Sequence, residues 1–336
     1  MRSPRLSSVG IAVGLFAAAN SVVRRWRESH YSLAGRVIVI TGGSRGLGLL
    51  LAREYARHGA RLVLVARDAA ALERAGDELR ATGAEVLTVP CDITDVPSVF
   101  GMIARVLERF GRIDVLVNDA GQIEVGPLES MTVRNFHGAM DANFWGAFNV
   151  IDAALQYLPE GSGRIVNISS IGGLLSVPHL LPYSASKFAL TGFSLGLRME
   201  LSRRGIRVTT VCPGLMRTGS PINASFKGDT AAEYAWFSLA DSLPLLSMSG
   251  ERAARAIVRA TQRGDVLVVL GLPAKLAALA TALVPATVVR VASLVTCLLP
   301  QGTSTAAKSG RSLERRVPPW LTVLSDRAAA RNNELG

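Results

Sequence analysis

The chain has 336 residues and a mean hydropathy of +0.30, enough for one sizeable α/β domain with apolar extensions. Its net charge of +11 gathers at the ends: residues 1–36 carry six Arg against one Glu, and residues 301–336 carry five Arg and one Lys against three acids. That distribution argues against a nucleic-acid-binding face on the core and favours anionic lipid headgroups near the ends. Cys91, Cys212 and Cys297 lie far apart without CxxC spacing, so neither a disulfide framework nor a zinc site is implied, and a reduced compartment fits. His30, His58, His137 and His179 show no metal-ligand spacing, and no metal is expected.

The first candidate element is Val9–Val23, apolar and rich in small residues, with Arg2 and Arg5 before it and Arg24, Arg25 and Arg27 after it. Ala17–Ala19 would suit a signal-peptide cleavage site, but the downstream arginines favour an uncleaved anchor or interfacial helix. The alternative is an arm that is disordered or packed on the domain. Residues 1–33 are therefore set apart from a domain over 34–271.

Within that domain, Val37–Ile40, Arg61–Val65, Val86–Val89, Ile113–Val117, Arg164–Ile168, Ile206–Val211 and Val266–Leu270 read as seven buried strands. Continuous Val/Ile/Leu runs are what a parallel sheet covered on both faces requires. Helical segments alternate with them, among them Leu47–His58, Ala69–Thr82, Val96–Phe110 and Ser184–Arg204, and Gly59, Gly83, Gly111 and Gly205 stand where helix ends are expected. The alternation predicts a single Rossmann-like, doubly wound α/β domain with its ligand outside the carboxyl ends of the strands.

The first strand runs into Thr41-Gly42-Gly43-Ser44-Arg45-Gly46-Leu47-Gly48 and then a helix. Glycines in that context permit a tight turn and let backbone N–H groups approach a pyrophosphate at the helix N-terminus. The second strand ends Val65-Ala66-Arg67-Asp68, with Ala66 where an NAD site places its acid. Arg45 and Arg67 suit a 2′-phosphate, so NADP(H) is expected over NAD(H). Arg67 pairing with Asp68 or pointing to solvent would leave that choice open.

Further along, Tyr183-Ser184-Ala185-Ser186-Lys187 places a phenol and an ammonium at i and i+4 on one helix face. The cation is expected to favour the phenolate, bringing a group of ordinary pKa about 10 toward neutral-pH work.

Together the Thr41-to-Gly48 turn, Asp92, Asn118-Asp119-Ala120-Gly121, Asn143, Ser170, Tyr183-x-x-x-Lys187 and Pro213-Gly214 resemble the short-chain dehydrogenase/reductase family in its shorter form, over about residues 34–271. The resemblance implies a catalytic group of Asn143, Ser170, Tyr183 and Lys187. Tyr183 would be the general acid in carbonyl reduction, Lys187 its tuner and ribose ligand, Ser170 a donor to the substrate oxygen, and Asn143 the holder of a relay water. It implies cofactor contacts from Gly42, Ser44, Arg45, Gly46, Leu47, Gly48, Arg67, Asp92, Ile93, Asn118, Ala120, Gly121, Tyr183, Lys187, Pro213, Gly214 and Thr218. Asp92 could instead only cap the following helix, and Ser169 competes with Ser170 for its role. Asp119 departs from the family, which usually has Asn there. Homodimers or homotetramers are also implied.

The connection from Thr218 to Gly250 holds Phe226, Tyr234, Trp236, Phe237, Leu239, Leu243, Leu245 and Leu246, and Leu174, Leu175, Val177 and Leu180 lie between Ser170 and Tyr183. Such a lid favours an apolar substrate, a ketone or aldehyde of the 3-oxoacyl, sphingoid, steroid or retinoid class. The alternatives are an alcohol dehydrogenase working oxidatively and a non-catalytic, membrane-associated NADP(H)-binding protein. Residues 272–300 are too short an apolar run, broken by Pro285, to span a bilayer, and read as an interfacial or packing segment. Residues 301–336 read as a flexible basic tail. The whole places the chain on the cytoplasmic side of a membrane, a bacterial inner membrane, with the cytoplasm as the alternative.

Overall fold

A computed structural model of the protein describes residues 22–23, 28, 30–243, 246–313 and 326–335. The N-terminal segment expected as an anchor therefore lies outside the described residues except for its last two, and so does Leu245 of the lid. All seven expected strands form: β1 (Val37–Thr41), β2 (Arg61–Ala66), β3 (Val86–Pro90), β4 (Val115–Asn118), β5 (Arg164–Ile168), β6 (Arg207–Pro213) and β7 (Leu267–Leu270). They make one parallel sheet in the order β7-β6-β5-β4-β1-β2-β3. The order reverses between β1 and β4, which opens a crevice above the carboxyl ends of those two strands.

Period-two alternation sends neighbouring residues to opposite faces. Ile38, Ile40, Leu62 and Leu64 pack against α1 (Gly46–Arg57), α2 (Ala69–Ala81) and α8 (Gly250–Arg263). Val37, Val39, Val63 and Val65 pack against α3 (Val96–Phe110) and α5 (Gly146–Ala154) on the other face, with Phe193 and Leu197 of α6 (Leu181–Glu200) closing the same cluster. Two buried cores, one per face, hold the sheet between helical layers. A smaller apolar cluster of Val125, Leu180, Ala224, Phe226, Tyr234, Phe237 and Leu313 lies beyond the crevice, with Tyr183 partly buried against it. It rests on α7 (Thr230–Ser242), the helix of the expected lid.

The apolar segment after β7 forms two helices, α9 (Leu272–Leu283) and α10 (Pro285–Thr296), broken where Pro285 cannot continue the first. Only Ala274 of the pair is buried. No described helix is long and apolar enough to cross a membrane.

The expected flexible tail is corrected in its described parts. Lys308–Ser309 pairs antiparallel with Ser225–Phe226, and α11 (Gly310–Leu313) follows, burying Leu313 in the third cluster. Residues 326–335 turn back over the glycine-rich turn, with a short helix over 326–331. Basic composition concealed this because the contacts with the glycine-rich turn rest on Asn332, Asn333 and Glu334, and the arginines Arg311 and Arg331 bind elsewhere.

Candidate active site

At the end of β1, Thr41 Oγ1 accepts the backbone N–H groups of Asp119 and Ala120, both at 3.2 Å, and so joins the glycine-rich turn to the segment after β4. Gly42 has φ 73°, and a Cβ there would come within 2.9 Å of the Ala120 nitrogen. Gly46 also has positive φ, 56°, and a Cβ at Gly48 would collide with the carbonyl oxygen of Gly42. Each glycine is thus demanded by backbone sterics. Ser44 and Leu47 are buried beside them, and the turn presents the N-terminus of α1 to the crevice, with the Gly46 N–H given to the Asn332 carbonyl and the Gly48 N–H to Asp119.

At the end of β2 the two expected arginines part company. Arg45 reaches Asp68 at 3.3 Å and Asn223 at 3.2 Å, while Arg67 is exposed. Asp68 caps α2 through the N–H of Ala71 (3.0 Å), and that bond, with Arg45 beside it, holds its carboxyl below the ordinary range. The Arg67–Asp68 pair is therefore replaced by Arg45–Asp68. Asp92 does not cap α3; Asp95 does. Asp92 accepts instead from the Thr94 N–H (3.0 Å) and hydroxyl (2.8 Å), which lower its pKa along with Arg67. Ile93 is buried, and Asn149 donates to its carbonyl (3.1 Å).

Asn118 is buried behind the crevice and donates to Asn167 Oδ1 (2.9 Å). Asn167 donates to Ser194 Oγ (3.0 Å), which also takes the Thr210 hydroxyl hydrogen (2.7 Å). This chain ties β4, β5 and β6 to α6 and fixes the helix that carries Tyr183. Ala120 and Gly121 line the turn after β4, and a Cβ at Gly121 would come within 2.6 Å of Asn143 Oδ1 and 3.5 Å of Lys187 Nζ. On the far side Pro213 ends β6, the Gly214 N–H donates to Leu270 (2.9 Å), and Thr218 is buried with its carbonyl toward the turn.

Asn143 lies in a π-helical turn, Asp141–Trp145, between α4 (Val133–Met140) and α5. Its Oδ1 accepts the Gln122 N–H (2.8 Å), while its Nδ2 faces the Gln122 carbonyl (3.1 Å) and Ser186 Oγ (3.0 Å). The π-helical turn interrupts the helix with one extra residue and aims the amide at the Gln122 backbone and at Ser186, next to Lys187. Ser169 Oγ is engaged by the Lys187 carbonyl (3.0 Å) and Thr191 Oγ1 (2.7 Å), whereas Ser170 shares a hydrogen bond with Tyr183 and accepts the Gly172 N–H (3.0 Å).

The expected tuning of Tyr183 by Lys187 is corrected. Burial pushes the Tyr183 hydroxyl up to about 12; the Ser170 hydrogen bond opposes this and the Asp119 carboxylate adds to it. Lys187 Nζ lies 5.7 Å from the Tyr183 ring centroid and donates to the Ile168 carbonyl (2.9 Å). Burial lowers Lys187 to about 8, with Asp119 opposing. The ammonium is held by backbone rather than by the phenol, and that is why spacing alone misjudged the sign.

Asp119 itself is pushed up to about 7 by burial, against Lys187 and the Gly48 N–H. A carboxyl whose folded pKa exceeds its ordinary 3.8 stabilises the fold only while protonated. That contribution is complete below about 4 and lost as pH rises through about 7. The thermal midpoint of Asp119→Asn should therefore gain on the native chain between pH 4 and 7 and keep a constant lead above. Thermal melts across that range test it, and a constant difference from pH 4 upward would refute it.

Residues 36–227 match the short chain dehydrogenase family, and the chain belongs to it. It is 39% identical over 194 residues, 57% of this chain and 74% of the other, to a putative ketoacyl reductase of Streptomyces coelicolor. It is 36% identical over 240 residues, 69% of this chain and 67% of the other, to 11-beta-hydroxysteroid dehydrogenase A of Sesamum indicum. Among solved structures, L-sorbose reductase of Gluconobacter frateurii in complex with NADPH and L-sorbose is 26% identical with TM-score 0.64, covering 72% of this chain and 97% of that one. A variant of actinorhodin polyketide ketoreductase with NADPH is 30% identical with TM-score 0.61, covering 70% and 96%.

Sequence reasoning missed Asn223, Asn332, Asn333 and Glu334, all of which meet the glycine-rich turn or Arg45. The one signal was a short polar run, Arg331–Glu334, closing a segment otherwise read by its charge.

Proposed function

We propose that the chain is an NADP(H)-dependent oxidoreductase that reduces a ketone or aldehyde carbonyl of a lipophilic substrate, with Tyr183 as general acid. The observation that carries this reading is Tyr183 hydrogen-bonded to Ser170 over the carboxyl ends of β4 and β5, with Lys187 buried beneath and an apolar cluster against the ring. A carbonyl oxygen gaining negative charge is stabilised there by the Ser170 and Tyr183 hydroxyls, and Tyr183 delivers the proton. Lys187 supplies positive charge and Asn143 fixes the backbone at Gln122 beside it. Bound NADPH would supply the hydride. The crevice suits it: the Gly42 approach and the Gly46 N–H, already given to a carbonyl oxygen at 2.9 Å, form a turn built for close contact with an oxygen ligand.

Preference for the 2′-phosphate rests on Arg45 and Arg67, on Ala66 in place of an acid, and on the NADPH carried by both structural relatives. Charge-assisted bonds contribute about 1.5–3 kcal/mol each. Arg45→Ala with Arg67→Ala should thus cut NADPH-over-NADH preference by about tenfold or more. Unchanged preference in steady-state assays would place that site elsewhere.

The lipophilic class is supported by the cluster around Tyr183, and by a ketoacyl reductase and a hydroxysteroid dehydrogenase among the relatives. Membrane contact is supported by α9 and α10, where Leu272, Leu276, Leu279 and Leu283 form an exposed apolar stripe beside Lys275 and Arg290. We place the enzyme on the cytoplasmic side of a bilayer for these reasons. Exposed Trp145, Phe188 and Met199 support self-association into a dimer or tetramer. The direct test is NADPH consumption against long-chain 3-oxoacyl thioesters, sphingoid ketones, steroids and retinal, with and without anionic vesicles. Turnover of one class supports the reading; tight NADPH binding without turnover on any of them would favour a binding role.

A further inference from the structure

The segment over 326–335 occupies the same backbone groups that the dinucleotide reading needs. The Gly46 N–H donates to the Asn332 carbonyl (2.9 Å), and Asn332 Nδ2 donates to the Thr218 carbonyl (3.0 Å). Asn333 adopts a left-handed φ of 56° and donates to the carbonyls of Ser44 (2.8 Å) and Ala71 (2.9 Å). Arg53 and Arg74, on α1 and α2, bind Asn332, Arg331 and Asn333 from outside. Ala329 lies against Gly219 so closely that a Cβ on that glycine would collide with it.

Glu334 marks the centre of the contact. It is 3% exposed, its Oε1 lies 2.6 Å from where a Gly46 Cβ would stand, and its other oxygen is held by Asn223, the residue that also binds Arg45. Arg311 donates to its carbonyl (2.9 Å). A carboxylate therefore stands at the α1 N-terminus near Arg45, in the place where an anion is favoured. No ion pair to Glu334 is formed among the described residues. Burying a carboxylate is costly, and burial pushes it up to about 7 against the Asn223 hydrogen bond and the more distant Arg45 and Arg311 charges.

We infer that the 326–335 segment is an autoinhibitory plug, a phosphate-mimicking occupant of the dinucleotide crevice that a dinucleotide must displace to bind. Two occupants cannot share the Gly46 N–H or the space over it, so binding is intramolecularly competitive. The apparent affinity for dinucleotide is then reduced by the fraction of molecules with the crevice open. Pyrophosphate and a 2′-phosphate would offer Arg45 and the turn stronger, charge-assisted partners than Asn332 and Glu334 do. The inference rests on the proposed use of this crevice for NADP(H).

Deletion of residues 326–336 tests it by fluorescence titration with NADPH. The expected result is an affinity at least tenfold tighter, with kcat at saturating NADPH within twofold of the full chain. A synthetic peptide of residues 326–336 should inhibit the deleted form competitively against NADPH. In the unaltered full chain, which needs no variant to fold, NADPH should speed hydrogen exchange at 326–335. Unchanged or weaker affinity on deletion, or slower exchange in that segment with NADPH, overturns the plug and leaves the cofactor reading standing. Binding of NADPH to neither form overturns both.

Discussion

Tyr183→Phe should lower kcat for carbonyl reduction by about 10²–10⁴-fold, the usual contribution of a positioned acid. The phenyl ring still packs against the third apolar cluster, so the thermal midpoint should hardly move. NADPH affinity should persist, because the glycine-rich turn and Arg45 are untouched. The pH profile gives a second readout. Tyr183 at about 12 stays protonated through the working range, so it does not set the limit. Lys187 at about 8 does: its cation is present below that value and lost above it. Reduction should therefore decline as pH rises past about 8. Full activity in Tyr183→Phe would remove the proposed acid, and a rate flat to pH 10 would remove the proposed role of the Lys187 charge.

Gly48→Ala should be the most damaging single methyl in the crevice. The added carbon would meet the Gly42 carbonyl oxygen in the same turn and lie 3.0 Å from Asp119 Oδ2. Backbone on one side and a buried carboxyl on the other leave no flexible side chain to yield. Overpacking of this kind costs about 1–3 kcal/mol. The turn can relieve it only by opening, which misdirects the α1 N–H groups. A lowered thermal midpoint is expected together with at least tenfold weaker NADPH binding, each 1.4 kcal/mol being about tenfold. Gly101→Ala, on α3 with nothing within 4 Å of the new carbon, is the control and should leave both unchanged. Native-like melting and binding in Gly48→Ala would show that the turn tolerates what its geometry forbids.

The parallel sheet was legible because each strand is buried on both faces, and runs such as Val37–Ile40 and Arg61–Val65 declare that in their side chains. The glycine spacing was legible for a related reason, since backbone collisions leave no other residue for Gly48. Tyr183, Ser170, Asn143 and Lys187 were legible as positions, and the structure brings them to one end of the sheet. Their electrostatics were not. The sign at Tyr183 depends on which acceptor Lys187 reaches, and that is a carbonyl contributed by β5, 19 residues earlier in the chain. The sequence allows Asp92 as a cap for α3, but the backbone path gives that place to Asp95, three residues later. The placement of 326–335 rests on Asn332, Asn333 and Glu334 meeting backbone groups nearly 300 residues away, and local pattern carries no trace of such long-range pairing.

The helix over the apolar cluster is fastened by buried His179 and Glu233 with partly buried Trp236: His179 Nδ1 to Glu233 Oε1 at 2.7 Å, and Trp236 Nε1 donating to Glu233 Oε2 at 2.6 Å. His179 holds a left-handed φ of 60° to make that contact, joining the loop before Tyr183 directly to α7. A roof riveted to the wall that carries the acid cannot swing independently of it. On the proposed function, substrates would then be sorted by a fixed aperture, by bulk and contour at the moment of entry, rather than by a flap that moulds itself to each guest.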